Sequence, residues 1–104
     1  IQNTQTGMGA LLMYYVYILC CSDGSFYIGS TQNLRARIHA HNIGQGSTYT
    51  SKRRPVRLMY TEVFDTETQA IRRERQLKRW SAVKKKSLID GNLETLKRLS
   101  KRRS

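Results

Sequence analysis

The sequence predicts a small α/β fold of the α+β kind, a three-stranded antiparallel sheet flanked by helices in the order β-β-α-β-α-α-α. Three observations lead there. Two short runs rich in Tyr, Val and Ile flank Ser22-Asp23-Gly24-Ser25, a strong hairpin signal. A third such run, Val56–Phe64, starts after Pro55, where a missing backbone donor is tolerated. Polar capping residues followed by helically spaced apolar positions come after the second and third runs. At 104 residues the chain suits one domain with a single core, and a small sheet covered by helices is the simplest way to bury these faces.

The elements follow in order. Residues 1–12 carry no clear element, and 1–13 read as a flexible leader or expression remnant, with Met8 or Met13 as candidate starts. Tyr14–Cys21 is apolar on both faces, as in a strand covered on two sides. Phe26–Thr31 is its hairpin partner. Asn33 is placed to cap a helix from Leu34 to about Asn42, closed by Gly44, and 44–54 reads as a polar, basic loop. After Val56–Phe64, Asp65 or Thr66 starts a second helix, with Thr66 and Gln69 as a capping box, running to about Arg79 or Trp80. Ser81 caps a third helix that ends at Asp90-Gly91. Asn92 caps a fourth carrying Leu93, Leu96 and Leu99. Residues 14–91 are thus the domain and 92–104 a basic helix or tail.

Composition removes several classes of function. One Pro and seven Gly exclude collagen-like and Pro-rich linkers, and recurring apolar runs argue against long disorder. Cys20 and Cys21 are adjacent, so on a strand they point to opposite faces and neither bridge nor share a metal easily. A chain without a disulfide framework suits a reducing, cytoplasmic setting. Met8–Cys21, the most apolar stretch, is too short to span a bilayer.

Charge is the strongest compositional signal. Lys and Arg number 19 against 7 Asp and Glu, a net +12, and none of the 19 precedes Arg35. Arg72, Arg73, Arg75, Lys78, Arg79, Lys84, Lys85 and Lys86 crowd one stretch with Glu74 as its only acid. Like charges at helical spacing repel, so the arrangement calls for an anion. A phosphate backbone is the usual one, and the sparse apolar positions here argue against a membrane surface. Lys52, Arg53 and Arg54 extend the basic surface.

Four kinds of position bear chemistry. Glu74 falls on the inward stripe of the second helix, four residues after Ala70 and three before Leu77. A carboxylate there is either paired with a cation or bound to a metal, and Mg²⁺ needs only one or two protein carboxylates. Arg37 and His41, one turn apart, line one edge of the first helix's buried face, while His39 points elsewhere. Tyr17 and Tyr27 lie on the two hairpin strands. A two-residue Asp23-Gly24 loop would set them on opposite faces. A three-residue Ser22-Asp23-Gly24 loop would pair Cys21 with Ser25 and Leu19 with Tyr27, placing both tyrosines on one face, with Gly24 left-handed. Gly29 leaves room for a close approach.

Taken together, these residues resemble the GIY-YIG nuclease family, above all its small stand-alone bacterial members. The first motif appears as Tyr15-Val16-Tyr17, with Tyr15 where the family has glycine. Tyr27-Ile28-Gly29 forms the second, Asn33-Leu34-Arg35-Ala36-Arg37 the arginine-bearing helix with His41 one turn on, and Thr68–Glu74 the glutamate segment. The likeness spans about Tyr14–Arg79. It implies that Tyr17 is the general base or a proton relay, that Tyr27 positions water and phosphate, and that Arg37 stabilises charge on the phosphate. His41 would assist proton transfer or positioning, and Glu74 would hold a single Mg²⁺ or Mn²⁺. Tyr17, an ordinary phenol near pKa 10, would need Arg37 and the metal to make it a base at neutral pH. The family's late asparagine has only Asn92 as a candidate, by residue type alone.

The implied activity is a divalent-metal-dependent endonuclease with little sequence choice, since its grip comes from phosphate contacts. DNA stands ahead of RNA as substrate. The alternative is a nucleic-acid binding module of the same fold that acts with a protein partner and does not turn over.

Overall fold

A computed structural model describes residues 12–92 and positions 94, 96 and 98. The elements are β1 (Tyr14–Cys20), β2 (Phe26–Thr31), α1 (Leu34–Asn42), α2 (Thr48–Ser51), β3 (Arg57–Phe64), α3 (Glu67–Lys78) and α4 (Ala82–Asp90). The strands form one antiparallel sheet in the order β2-β1-β3, with β1 central. The sequence order holds, with one addition: the loop predicted over 44–54 contains the single-turn helix α2, capped by Ser47, whose side chain accepts from the Thr50 N–H.

The hairpin settles which faces the tyrosines take. The Cys21 N–H donates to the Ser25 carbonyl (2.8 Å), the Gly24 N–H to the Cys21 carbonyl (2.9 Å), and Gly24 sits at φ +85°. This is the three-residue loop. Leu19 faces Tyr27 and Tyr17 faces Gly29, so Tyr17 and Tyr27 share a face.

Because β1 is central, both its faces are covered. Val16, Ile18 and Ile28 pack on Ala70 and Leu77 of α3, with Phe26, Trp80 and Leu88 around them. Tyr17, Leu19, Cys21 and Val56 form the other layer, against Tyr27 and the α1 residues Leu34 and Ile38. Each fully buried aliphatic side chain in these layers contributes roughly 1.5–3 kcal/mol.

Local signals end the helices where expected. Asn33, Thr66 and Ser81 accept from the N–H groups of Ala36, Gln69 and Lys84, and Gly91 closes α4 at φ +72°. At the far end of α1, the Asn42 side chain accepts from the Val56 N–H (2.8 Å) and donates to its carbonyl (3.3 Å). That clamp draws Val56 out of the strand, so β3 starts at Arg57, one residue later than predicted. Glu94, Leu96 and Arg98 are helical, and the Leu96 N–H bonds the Asn92 carbonyl. Leu93 and Leu99 lie outside the described residues, as do the leader up to 11 and most of the 92–104 tail. No helix among the described residues is long and apolar enough to cross a membrane.

Candidate active site

Tyr17 is the centre of the site. Its ring lies across β2 at Gly29, where a Cβ would overlap Tyr17 Oη and Cζ, so only glycine leaves the ring its path. Tyr27 comes from the next pair along the same face. Tyr15, also on this face by alternation, is half-buried one step further on, opposite Thr31.

His41 on α1 is fully buried between the two tyrosines. Its Nε2 lies 2.9 Å from Tyr17 Oη, and its ring meets Tyr27 edge-on at 5.1 Å between centroids. On the other side Nδ1 is 2.7 Å from Thr50 Oγ1, which also meets Ser47 Oγ at 2.8 Å. One proton arrangement satisfies the chain: Tyr17 donates to Nε2, Nδ1–H donates to Thr50 Oγ1, and Thr50 donates to the Ser47 carbonyl at 3.4 Å. Gly46 lets the loop close here, because a Cβ would overlap the imidazole.

Burial sets the proton affinities. It pushes the His41 pKa down, helped by the charge of Arg37, so the imidazole is neutral. It pushes the Tyr17 phenol well above its ordinary value of 10, and Tyr27 and Glu74 push the same way, against Arg37. Arg37 does lower this pKa, as expected, but among the protein groups loss of water outweighs one guanidinium and the net shift is upward.

Glu74 reaches the site from the opposite face of the sheet. Ser30 faces α3 and donates to Glu74 Oε1 (2.6 Å), while Lys78 pairs with Oε2 (2.9 Å). β2 is an edge strand, and both Arg37 and Glu74 act electrostatically on Tyr17. Two grooves run along that edge. One of about 360 Å³ is lined by Tyr14, Ser30, Thr31 and the exposed Arg37, the other of about 350 Å³ by Phe26, Tyr27, Tyr49, Lys78 and Lys85.

Among the described residues no three His, Cys, Asp or Glu side chains cluster to hold a metal. Glu74 alone still fits Mg²⁺ or Mn²⁺ with water completing the shell. Lys78 is half-exposed but Glu74 is only 18% exposed, so a metal there would displace a partly buried ion pair.

The basic residues do not form a single track. Lys78 and Lys85 face the β2 groove. Arg72, Arg75 and Arg79 line a separate groove of about 490 Å³ on the outer side of α3, away from the tyrosines. Arg73 turns inward and binds Glu62 of β3 through Nε (2.8 Å) and Nη2 (2.9 Å). Lys84 is buried over the Trp80 ring, and Lys86 pairs with Asp90. Arg53 binds Asp23, Arg54 donates to the Ser51 and Asn42 carbonyls, and Lys52 stands exposed beside Pro55. The Asn92 N–H bonds the Ser87 carbonyl and helps close α4.

Sequence reasoning missed Ser30, Gly46, Ser47, Tyr49 and Thr50. A Ser with a Thr three residues on, the spacing that caps α2, was the available signal for two of them.

Residues 13–87 match the model of the GIY-YIG catalytic domain. A UPF0213 protein of Staphylococcus saprophyticus is 49% identical over 76 residues, covering 73% of this chain and 93% of the relative. One from Staphylococcus aureus is 46% identical over the same span. Two solution NMR structures are similar. The UPF0213 protein BH0048 of Bacillus halodurans has 42% identity and TM-score 0.50, over 75% of this chain and 83% of that one. Protein EF2693 of E. faecalis has 35% identity and TM-score 0.53, over 89% and 93%.

Proposed function

Because this chain belongs to the GIY-YIG family, we propose that it is a divalent-metal-dependent endonuclease that hydrolyses nucleic-acid phosphodiester bonds, DNA ahead of RNA, with little sequence choice. The observation that carries this reading is the buried Tyr17–His41 contact beside Gly29 of β2, with Arg37 and Glu74 in electrostatic reach of the phenol.

Tyr17 works as a relay. Its raised pKa disfavours a resting phenolate, and neutral His41 stands ready at Nε2. As the attacking water gives a proton to Tyr17 Oη, the phenol's own proton passes to Nε2, so the oxygen never carries a full charge. Thr50 keeps the other nitrogen protonated and Nε2 free to accept. Tyr27 orients water and phosphate, and Arg37 neutralises the charge that grows on the phosphoryl oxygens. A single Mg²⁺ or Mn²⁺ on Glu74, once Lys78 swings away, would supply Lewis acidity and orient the leaving oxygen. The exposed cations, including Lys52, Arg72, Arg75 and Arg79, add affinity along the backbone.

The engagement of both Glu74 oxygens by Ser30 and Lys78 favours the second reading, a binding module that acts with a protein partner. A panel of labelled single-stranded, duplex, flapped and branched DNA and RNA, incubated with Mg²⁺ or Mn²⁺, separates the two. The nuclease reading expects cleavage by the wild type and at least a hundredfold loss in Glu74→Ala. Cleavage of nothing in the panel, or cleavage that survives the substitution, overturns it.

A further inference from the structure

The groove at Tyr27 and Lys85 holds more than phosphate hydrolysis requires. Tyr49, from α2, stacks beside Tyr27 with centroids 6.1 Å apart and planes 25° from parallel, and stays 37% exposed. It is held in place: its Oη donates to Ser25 Oγ (2.7 Å), and the Arg53 guanidinium covers it at 3.8 Å while tied to Asp23. Arg53 takes one face of the ring and Tyr27 lies against it, so the part of the ring that stays exposed is what an incoming base stacks on.

Lys85 lines the same groove. It is half-buried, burial lowers its pKa, and no anionic group among the described residues pairs with it. A partly dehydrated cation without a counterion points to an anion from outside. Aromatic surface beside an unpaired cation is what single-stranded nucleic acid needs, for its base faces are free to stack while its phosphates seek charge. An intact duplex offers backbone and base edges but no base face.

We propose that Tyr49, Tyr27 and Lys85 form a subsite for an unpaired nucleotide beside the scissile phosphodiester, so that single-stranded or frayed DNA is the preferred substrate. The inference rests on the reading of the β2 edge as the phosphodiester site.

Fluorescence anisotropy with a 12-nucleotide single-stranded DNA and a blunt duplex of the same sequence, with EDTA present to prevent cleavage, tests it. The wild type binds the single strand more tightly. Tyr49→Leu loses about tenfold on the single strand and changes duplex binding by less than about twofold, while Tyr49→Phe, which keeps the ring, restores the preference. Lys85→Gln weakens single-strand binding and reduces its salt slope by about one. An equal loss on both substrates, or no loss on the single strand, overturns the subsite. Should melting curves show Tyr49→Leu unfolded, Lys85→Gln decides, and unchanged single-strand affinity overturns the proposal. A cleavage assay run alongside separates the two readings: a preference that depends on Tyr49 without cleavage leaves the subsite standing and sinks the nuclease. Cleavage without that preference does the reverse.

Discussion

Replacing Thr50 with valine keeps the shape of the side chain and removes only the hydroxyl. Thr50 and His41 are both fully buried, and His41 Nδ1 has Thr50 Oγ1 as its partner at 2.7 Å. Thr50→Val therefore opens almost no cavity but strands an N–H donor away from water. Leaving such a donor unpaired costs about 1–3 kcal/mol. For a domain of this size each kcal/mol moves Tm by roughly 4–8 °C, so a mid-range loss of about 2 kcal/mol lowers Tm by about 10 °C. Thermal or urea denaturation measures the loss, with Thr50→Ser, which keeps the hydroxyl, as the control. Cleavage by the folded Thr50→Val protein should fall as well, because Nε2 is no longer held as the acceptor for Tyr17. A valine variant within about 0.5 kcal/mol of wild type would refute the proton arrangement, since Nδ1 would then carry no hydrogen toward Thr50.

Acid gives a second test. His41 has a folded pKa below its ordinary 6.5, so below pH 6.5 the unfolded chain takes up a proton that the folded chain refuses. Stability should fall as pH drops through 6.5, by at most about 1.4 kcal/mol per pH unit, and His41→Gln should flatten urea midpoints across that window. A flat wild-type profile would contradict it. Arg73→Met removes the cation from Glu62, whose side chain is only 19% exposed, and should destabilise by about 2 kcal/mol on urea denaturation, against about 0.5 or less for Arg72→Met. The same variant should leave the salt slope of DNA binding unchanged, because Arg73 is already neutralised. Gly29→Ala should fold with a displaced Tyr17 ring, lose about 1–3 kcal/mol and cut more than tenfold more slowly, readable from melting curves and single-turnover cleavage.

The parts legible in the sequence were those fixed by near neighbours. Asn33, Thr66 and Ser81 announce helix starts because a cap needs only an oxygen three residues before an N–H. Glu74 was legible as inward-facing because helical spacing alone puts it between Ala70 and Leu77. Its partner was not: Ser30 lies 44 residues away, and only the meeting of β2 and α3 joins them. The tyrosine faces stayed open because Asp23-Gly24 fits either loop length, and the Cys21–Ser25 bond decides. α2 was missed because four residues with two threonines leave no periodicity to read. Arg73 looked like one more surface cation because its counterion, Glu62, sits on a strand whose place in the sheet had to be known first. The raised Tyr17 pKa has the same origin: charge can be counted from the sequence, whereas exclusion of water depends on how the layers close.

The hairpin tip acts as a parity lock on the chemistry. Closing the hairpin as a two-residue Asp23-Gly24 tip, one step out of register, would send the Tyr27 hydroxyl into the oily layer beside Val16 and Ile18. The same slip would thrust Phe26 and Ile28 toward His41. Changes of tip length are therefore not equivalent. A shortened tip that still closes on Cys21 and Ser25 keeps both tyrosines on their shared face, whereas one that closes a residue away turns Tyr27 to the other side.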